Sequence, residues 1–115
     1  MLQVVEEHLG EVVVLRCQGD LVRAQESSLL CAALGNYGRD ILIDLSEVRA
    51  IDAAGSGALL ALQAGGVFLR LHNPTTAVRE FLHARMMDSV FEISEGDAYP
   101  LPVAENVSLL PCRAA

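Results

Sequence analysis

The chain has no lysine and no tryptophan, only two Tyr and three Phe, and no C-x-x-C pair. Without lysine there can be no Schiff base and no P-loop lysine against a phosphate. Eight arginines stand against fifteen acidic residues, a formal charge of −7. That leaves little to neutralise nucleic-acid phosphates and disfavours docking on anionic lipid. Cys17, Cys31 and Cys112 are odd in number and far apart. Such a set points to reduced thiols in a cytoplasm, not to a disulfide framework. No basic segment leads into an apolar run at the N-terminus, so no signal peptide is expected. Nor is there a run of ~20 apolar residues for membrane insertion. The longest uncharged stretch, 53–69, is interrupted by Gly55, Ser56, Gly57, Gln63 and the Gly65–Gly66 pair. It reads as a buried helix followed by a buried strand.

What is present is the composition of one globular domain: 115 residues, 52% hydrophobic and 20% charged. Residues 2–7 and 11–18 are β-branched runs parted by His8-Leu9-Gly10, a hairpin signal. Alternation puts Val12, Val14 and Arg16 on one face of the second run and Val13, Leu15 and Cys17 on the other. Gly19-Asp20 is expected to end it. Apolar residues at Val22, Leu29, Leu30, Ala33 and Leu34 predict a helix over 21–34, stopped by Gly35-Asn36-Tyr37-Gly38. Ile41 to Leu45 is a strand buried on both faces.

After Ile51, Asp52 is a good N-cap for a helix over 53–64, with Gly65-Gly66 as its stop. Val67 to His72 reads as a strand. Asn73-Pro74 reads as a cap and first turn for a helix over 74–87, with Val78, Phe81, Leu82 and Met86 inward. Val90 to Ile93 adds a short last strand. The expected fold is α/β in the order β-β-α-β-α-β-α-β. Its mixed sheet of four to five strands is largely parallel, with the N-terminal hairpin as an antiparallel edge. One domain spans 1–93, and 94–115 is a tail carrying Pro100, Pro102 and Pro111.

No constellation reads as an active site. Gly55-Ser56-Gly57 follows a strand and opens a helix, but a nucleophile elbow needs glycine where Ala54 stands. The dinucleotide loop G-x-G-x-x-G fails at Leu60. His8, His72 and His83 lie on different elements without metal-ligand spacing and read as solvated or capping residues. Asp20, Asp44 and Asp52 could converge at the C-terminal ends of the strands and bind an ion or small molecule. N-cap and turn roles are the simpler reading of each. No enzyme activity, cofactor or metal is expected.

One segment is distinctive: Ile41-Leu-Ile-Asp-Leu-Ser-Glu-Val-Arg-Ala-Ile-Asp-Ala-Ala-Gly-Ser-Gly-Ala-Leu-Leu. It resembles the signature of the STAS domain family, the anti-sigma factor antagonists and their relatives. There a strand ending Asp-Leu-Ser leads to Val-x-x-Ile-Asp-Ser-Ser-Gly-Leu-Gly and a helix. The likeness extends to Gly19-Asp20-Leu21, and to Asn73-Pro74 with Val78-Arg79 and Leu82, covering residues 2–93 by element order. It implies a protein-binding module in a partner-switching pathway of transcription regulation, its partner an anti-sigma factor or serine kinase. It also implies a candidate docking surface of Asp20, Asp52, Ala53, Ala54, Gly55, Ser56, Gly57 and Arg79.

Three departures qualify that likeness. The residue phosphorylated in classical members is the second serine of Asp-Ser-Ser-Gly, and Ala54 holds its place, with Ala53 before it. The acid that ends Gly-Glu-Leu-Asp in those members is Val22. Ser56 lies about 200° round the helix from Ala54 and is expected to point inward. Phosphorylation is therefore not expected. Third, Met86 stands where the family often has Gly, so that helix is expected to run on or fray. Family members that serve as accessory subunits of lipid-transport ATPases or stress-sensing assemblies do not all need a phosphoacceptor. That role is the alternative, and an ion- or small-molecule-binding domain a further one.

Overall fold

The computed structural model describes residues 2–36 and 38–96. Strands β1 (Leu2–Leu9) and β2 (Val12–Leu21) form an antiparallel hairpin in which Leu9 faces Val12. Gly10 sits at φ +64°, the left-handed value that a two-residue hairpin turn asks of its first position. There follow α1 (Glu26–Leu34), β3 (Asp40–Ile51), α2 (Ala53–Ala64), β4 (Leu69–His72), α3 (Thr76–Ala84) and β5 (Glu92–Ser94). The strands lie side by side in the order 1-2-3-4-5, and every pair after the hairpin is parallel. The expected α/β architecture and element order are therefore present.

All three helices bury their apolar stripes on one face of the sheet. Leu29 and Ala33 of α1, Leu59 and Leu62 of α2, and Val78 and Leu82 of α3 share a core with Val13, Leu15, Ile43, Leu45 and Leu71. The opposite sheet face carries a separate small cluster of Val12, Val14 and Leu42, with Leu9 against it. Adjacent residues of β2 thus go to different clusters, as strand alternation requires.

Several boundaries differ from the sequence reading, each for a local reason. Strand β2 does not end at Gly19-Asp20 but continues to Leu21, which is fully buried and lies opposite Ile51. Accordingly α1 starts at Glu26 rather than 21, after a turn in which the Gln25 amide donates to the Val22 carbonyl at 2.9 Å. Strand β3 extends far past Leu45 and absorbs Ile51. Leu45 and Val48 are three apart, the wrong spacing for one strand face, yet both are in the core. The register shift opposite Arg16/Gln18 resolves this: β3 carries an extra residue between Asp44 and Glu47, which turns both side chains inward, and a second extra residue follows Val48 opposite Gly19/Asp20.

Helix α2 spans the predicted 53–64. Helix α3 is shorter than 74–87, and its cap is Thr75, whose side chain accepts from the Val78 amide, rather than Asn73. The Thr75 hydroxyl also donates to the Val48 carbonyl at 2.8 Å, holding the helix start against β3. Asn73 instead adopts φ +49° and clasps Gly96, donating to its carbonyl at 2.9 Å and accepting from its amide at 3.1 Å. At its far end α3 neither runs on nor frays: it stops at Ala84, with Met86 at φ +55°. The last strands are Leu69–His72 and Glu92–Ser94, shifted from 67–72 and 90–93. Most of the tail, with Pro100, Pro102, Pro111 and Cys112, lies outside the described residues.

Candidate functional site

The start of α2 is built around Asp52, which leaves β3 in an extended conformation. One carboxylate oxygen accepts from the Gly55 amide at 3.0 Å, closing the first turn. The other accepts from the Arg23 amide at 3.0 Å, tying α2 to the turn after β2. These two backbone donors, Gly55 first, hold the carboxyl below the ordinary aspartate range. The Asp52 amide donates to the Leu21 carbonyl at 3.4 Å, so both chain crossings meet here.

Gly55 explains how close that meeting is. A Cβ built on it would lie 2.0 Å from the Leu21 carbonyl oxygen, inside any allowed contact. Ser56 is buried, as expected, and its hydroxyl donates to the Ala53 carbonyl at 3.2 Å. It is a back-bonded serine turned into the helix. Gly55 and Ser56 therefore shape the helix start from beneath. Ala53 and Gly57 are exposed and Ala54 is half-buried, so the outer surface of the first turn is small and uncharged. A Cβ on Gly57 would meet nothing within 4 Å.

The remaining candidates fall in two places. Asp20 is the penultimate residue of β2, and its carboxylate accepts from Arg49 at 3.2 Å, an exposed pair on the β2–β3 ribbon. Arg79 is on α3, paired with Glu95 and donating to the Pro74 carbonyl at 3.5 Å. Among the described residues none of its polar contacts reaches α2.

Asp20, Asp44 and Asp52 do not converge. Asp44 pairs in register with Arg16 and His72, whereas Asp20 pairs with Ala50 further along β3. The Asp44 carboxylate is turned to the Ser46 amide at 2.9 Å. Among the described residues no group of three His, Cys, Asp or Glu is placed to hold a metal ion. Neither is there among them a helix long and apolar enough to cross a membrane.

The sequence reading missed His72. It is neither solvated nor a cap: it is 1% exposed. Its ring nitrogens contact the Ser94 hydroxyl at 2.8 Å and the Gly96 carbonyl at 2.9 Å. Its place at the end of the apolar run from Val67 was the available signal.

A family model described as "Mlab, STAS domain" matches residues 4–92, most of the chain, from β1 through α3 to the start of β5. The chain belongs to the STAS family. No curated protein matches it. Solved structures place its STAS fold among those of anti-sigma factor antagonists. One from Mycobacterium paratuberculosis is 18% identical at TM-score 0.73, over 94% of this chain and 93% of that one. A proposed antagonist from Thermotoga maritima is 18% identical at TM-score 0.70, over 92% of each chain. SpoIIAA of Bacillus, solved in its unphosphorylated form, is 18% identical at TM-score 0.66, over 100% of this chain and 98% of that one. At such identities these structures establish the STAS fold, not a shared partner.

Proposed function

We propose that this STAS domain is a non-catalytic, cytoplasmic protein-binding module of the antagonist type, docking through the start of α2 without a phosphorylation switch. The observation that carries the reading is the surface of that first turn. Ala53, Ala54 and Gly57 offer no hydroxyl to a kinase, while the nearest serine, Ser56, is buried and bonded to the Ala53 carbonyl. In phosphorylated relatives a phosphate of about −1.5 to −2 charges would repel a closely packed interface. Here the turn stays small and neutral, permanently in the form that binds. The partner is an anti-sigma factor or its serine-kinase relative.

The test pairs Ala54→Glu with an anti-sigma factor from the same cell. A carboxylate in the first helical turn is tolerated or mildly favoured by the dipole, by a few tenths to ~1 kcal/mol. The melting temperature should hold within a few degrees. Desolvated and unpaired at an interface, the same carboxylate costs on the order of 2–5 kcal/mol, or ~30-fold or more in affinity. Unchanged binding would move the interface to another face. Arg79→Ala is the companion, a rim contact costing less than ~1 kcal/mol. Incubation with an anti-sigma kinase and ATP should leave the intact mass unchanged.

A second reading, a constitutive accessory subunit of a lipid-transport ATPase or stress-sensing assembly, draws on the same uncharged turn and on the family description. It predicts stable co-purification with an ATPase or a large assembly, and no exchange of partners when ATP is added.

A further inference from the structure

The two edges of the sheet are unequal. At one, β5 is three residues long, and Gly96 just beyond it is bonded to His72 and Asn73. At the other, β1 runs for eight residues and pairs only with β2 among the described residues. Leu9 and Val12 flank a two-residue turn and so exchange both backbone bonds. Alternation then turns Gln3, Val5 and Glu7 toward β2, while Val4, Glu6 and His8 direct amide and carbonyl away from the sheet. Leu2 has the same parity: its amide points outward and donates to the Gln25 side chain at 3.0 Å. The outward groups of Val4, Glu6 and His8 have no such cover among the described residues, and the side chains of Glu6, Glu7 and His8 are exposed.

We propose that this edge receives a sixth strand, an extended segment of another protein with two adjacent basic residues against Glu6 and Glu7 and two β-branched residues against Val4 and Val5. In strand addition the backbone bonds supply affinity, and the side chains set opposite one another supply the choice of partner. The free stretch reads Val4-Val5-Glu6-Glu7. Glu6 contacts the His8 ring at 2.7 Å, and Arg39 adds a weaker attraction. Glu7 makes no ion pair with a described residue. The two carboxylates leave the strand on opposite faces, so the match calls for consecutive basic residues, not alternate ones.

A second copy of the chain is the competing strand, and charge disfavours it. Two β1 strands paired about a two-fold axis through Val4, Glu6 and His8 set Glu6 directly opposite the second copy's Glu6. Like charges so placed destabilise the pair. The carboxylates that keep two copies of this edge apart are the ones that favour a basic partner. The edge shares no residue with the docking surface at the α2 start, so failure at one leaves the other untouched.

The test uses the peptide Thr-Lys-Lys-Val-Val-Thr, blocked at both ends and added at millimolar concentration to the full chain. Antiparallel addition lays its lysines against Glu7 and Glu6 and its valines against Val5 and Val4. Hydrogen exchange at the Val4, Glu6 and His8 amides should slow several-fold. Gln3, Val5 and Glu7, already bonded to β2, should change little. The counterpart Thr-Glu-Glu-Val-Val-Thr should bind at least about fivefold more weakly, the size of two exposed cross-strand ion pairs. Glu6→Lys combined with Glu7→Lys should reverse the order of the two peptides, and Ala54→Glu should leave it unchanged. Equal binding of both peptides, no slowing, or slowing without the alternate-residue pattern would overturn the proposal. Slowing of the same three amides when the chain alone is concentrated would overturn it in favour of a second copy.

Discussion

Gly55 and Gly57 sit two residues apart on α2 and serve opposite ends. At Gly55 the obstacle to a side chain is backbone: the Leu21 carbonyl oxygen at 2.0 Å and its carbon at 2.9 Å from a built Cβ. Backbone cannot swing aside as a side-chain tip can. Gly55→Ala should therefore push α2 off β2 and destabilise by about 3 kcal/mol, read by urea denaturation. At Gly57 the space is open, and glycine inside a helix costs about 0.5–1 kcal/mol relative to alanine. Gly57→Ala should raise stability by that amount, while its new methyl weakens docking at the proposed face. A more stable variant with unaltered affinity would mean that no partner packs on Gly57. A third residue tells the described thiols apart. Burial above all, then the nearby Asp44 charge, pushes the Cys17 thiol up to about 12, whereas Cys31 is exposed. In the native chain a thiol reagent should modify Cys31 within minutes and spare Cys17 until the protein unfolds.

At the scale of elements, the end of α3 shows a backbone geometry imposed on an unsuitable residue. The Met87 amide donates to the Leu82 carbonyl at 2.8 Å and the Met86 amide to the His83 carbonyl at 3.0 Å. That is the paired bonding of a Schellman stop, with Met86 at the position that favours glycine. Met87 and Leu82 both pack on the core, and this contact sets the stop in spite of the side chain at 86. Met86 is 79% exposed, so removing it forfeits little packing. The left-handed conformation costs an L-residue roughly 1–2 kcal/mol, part of which glycine returns as unfolded-chain entropy. Met86→Gly should stabilise by about 1 kcal/mol, a rise of roughly 4–8 °C in Tm, and Met86→Ala should not.

The contrast with α2 explains which elements were legible. Asp52 and Gly65 mark both ends of α2 with side-chain or turn chemistry, and its bounds were readable to the residue. The end of α3 depends on Met87 reaching a core assembled from distant strands, so local sequence pointed the wrong way. Likewise β3 was read short because the Leu45–Val48 spacing makes sense only with bulges against β2.

Taken as a whole molecule, the layer order was legible because hydrophobic alternation and turn residues are local. The proposed docking turn is suggested only by the family likeness, since Ala53-Ala54-Gly55 carries no chemistry of its own. The burial of the helix-free face was invisible, because Val12 and Val14 look like any alternating strand. One global property follows from the site itself. Asp52 carries α2 at one oxygen and the turn after β2 at the other, and both donors favour its anion. Its folded pKa is lowered from 3.8, so its contribution to stability is fully present above that value. The contribution is lost as pH falls through the lower folded pKa, because the folded chain then takes up a proton that the unfolded chain already holds. Asn caps helices nearly as well as Asp but cannot carry the charge. The difference in urea midpoint between the protein and Asp52→Asn should thus stay level from about pH 7 to 5 and close below 3.8. Glu6 and Asp88 are also lowered, chiefly by hydrogen bonds from His8 and His83, so Glu6→Gln and Asp88→Asn serve as references for the same acid limb. A difference that widened toward acid would mean that the α2 start does not favour the Asp52 anion, and the clasp between α2 and β2 would need another explanation.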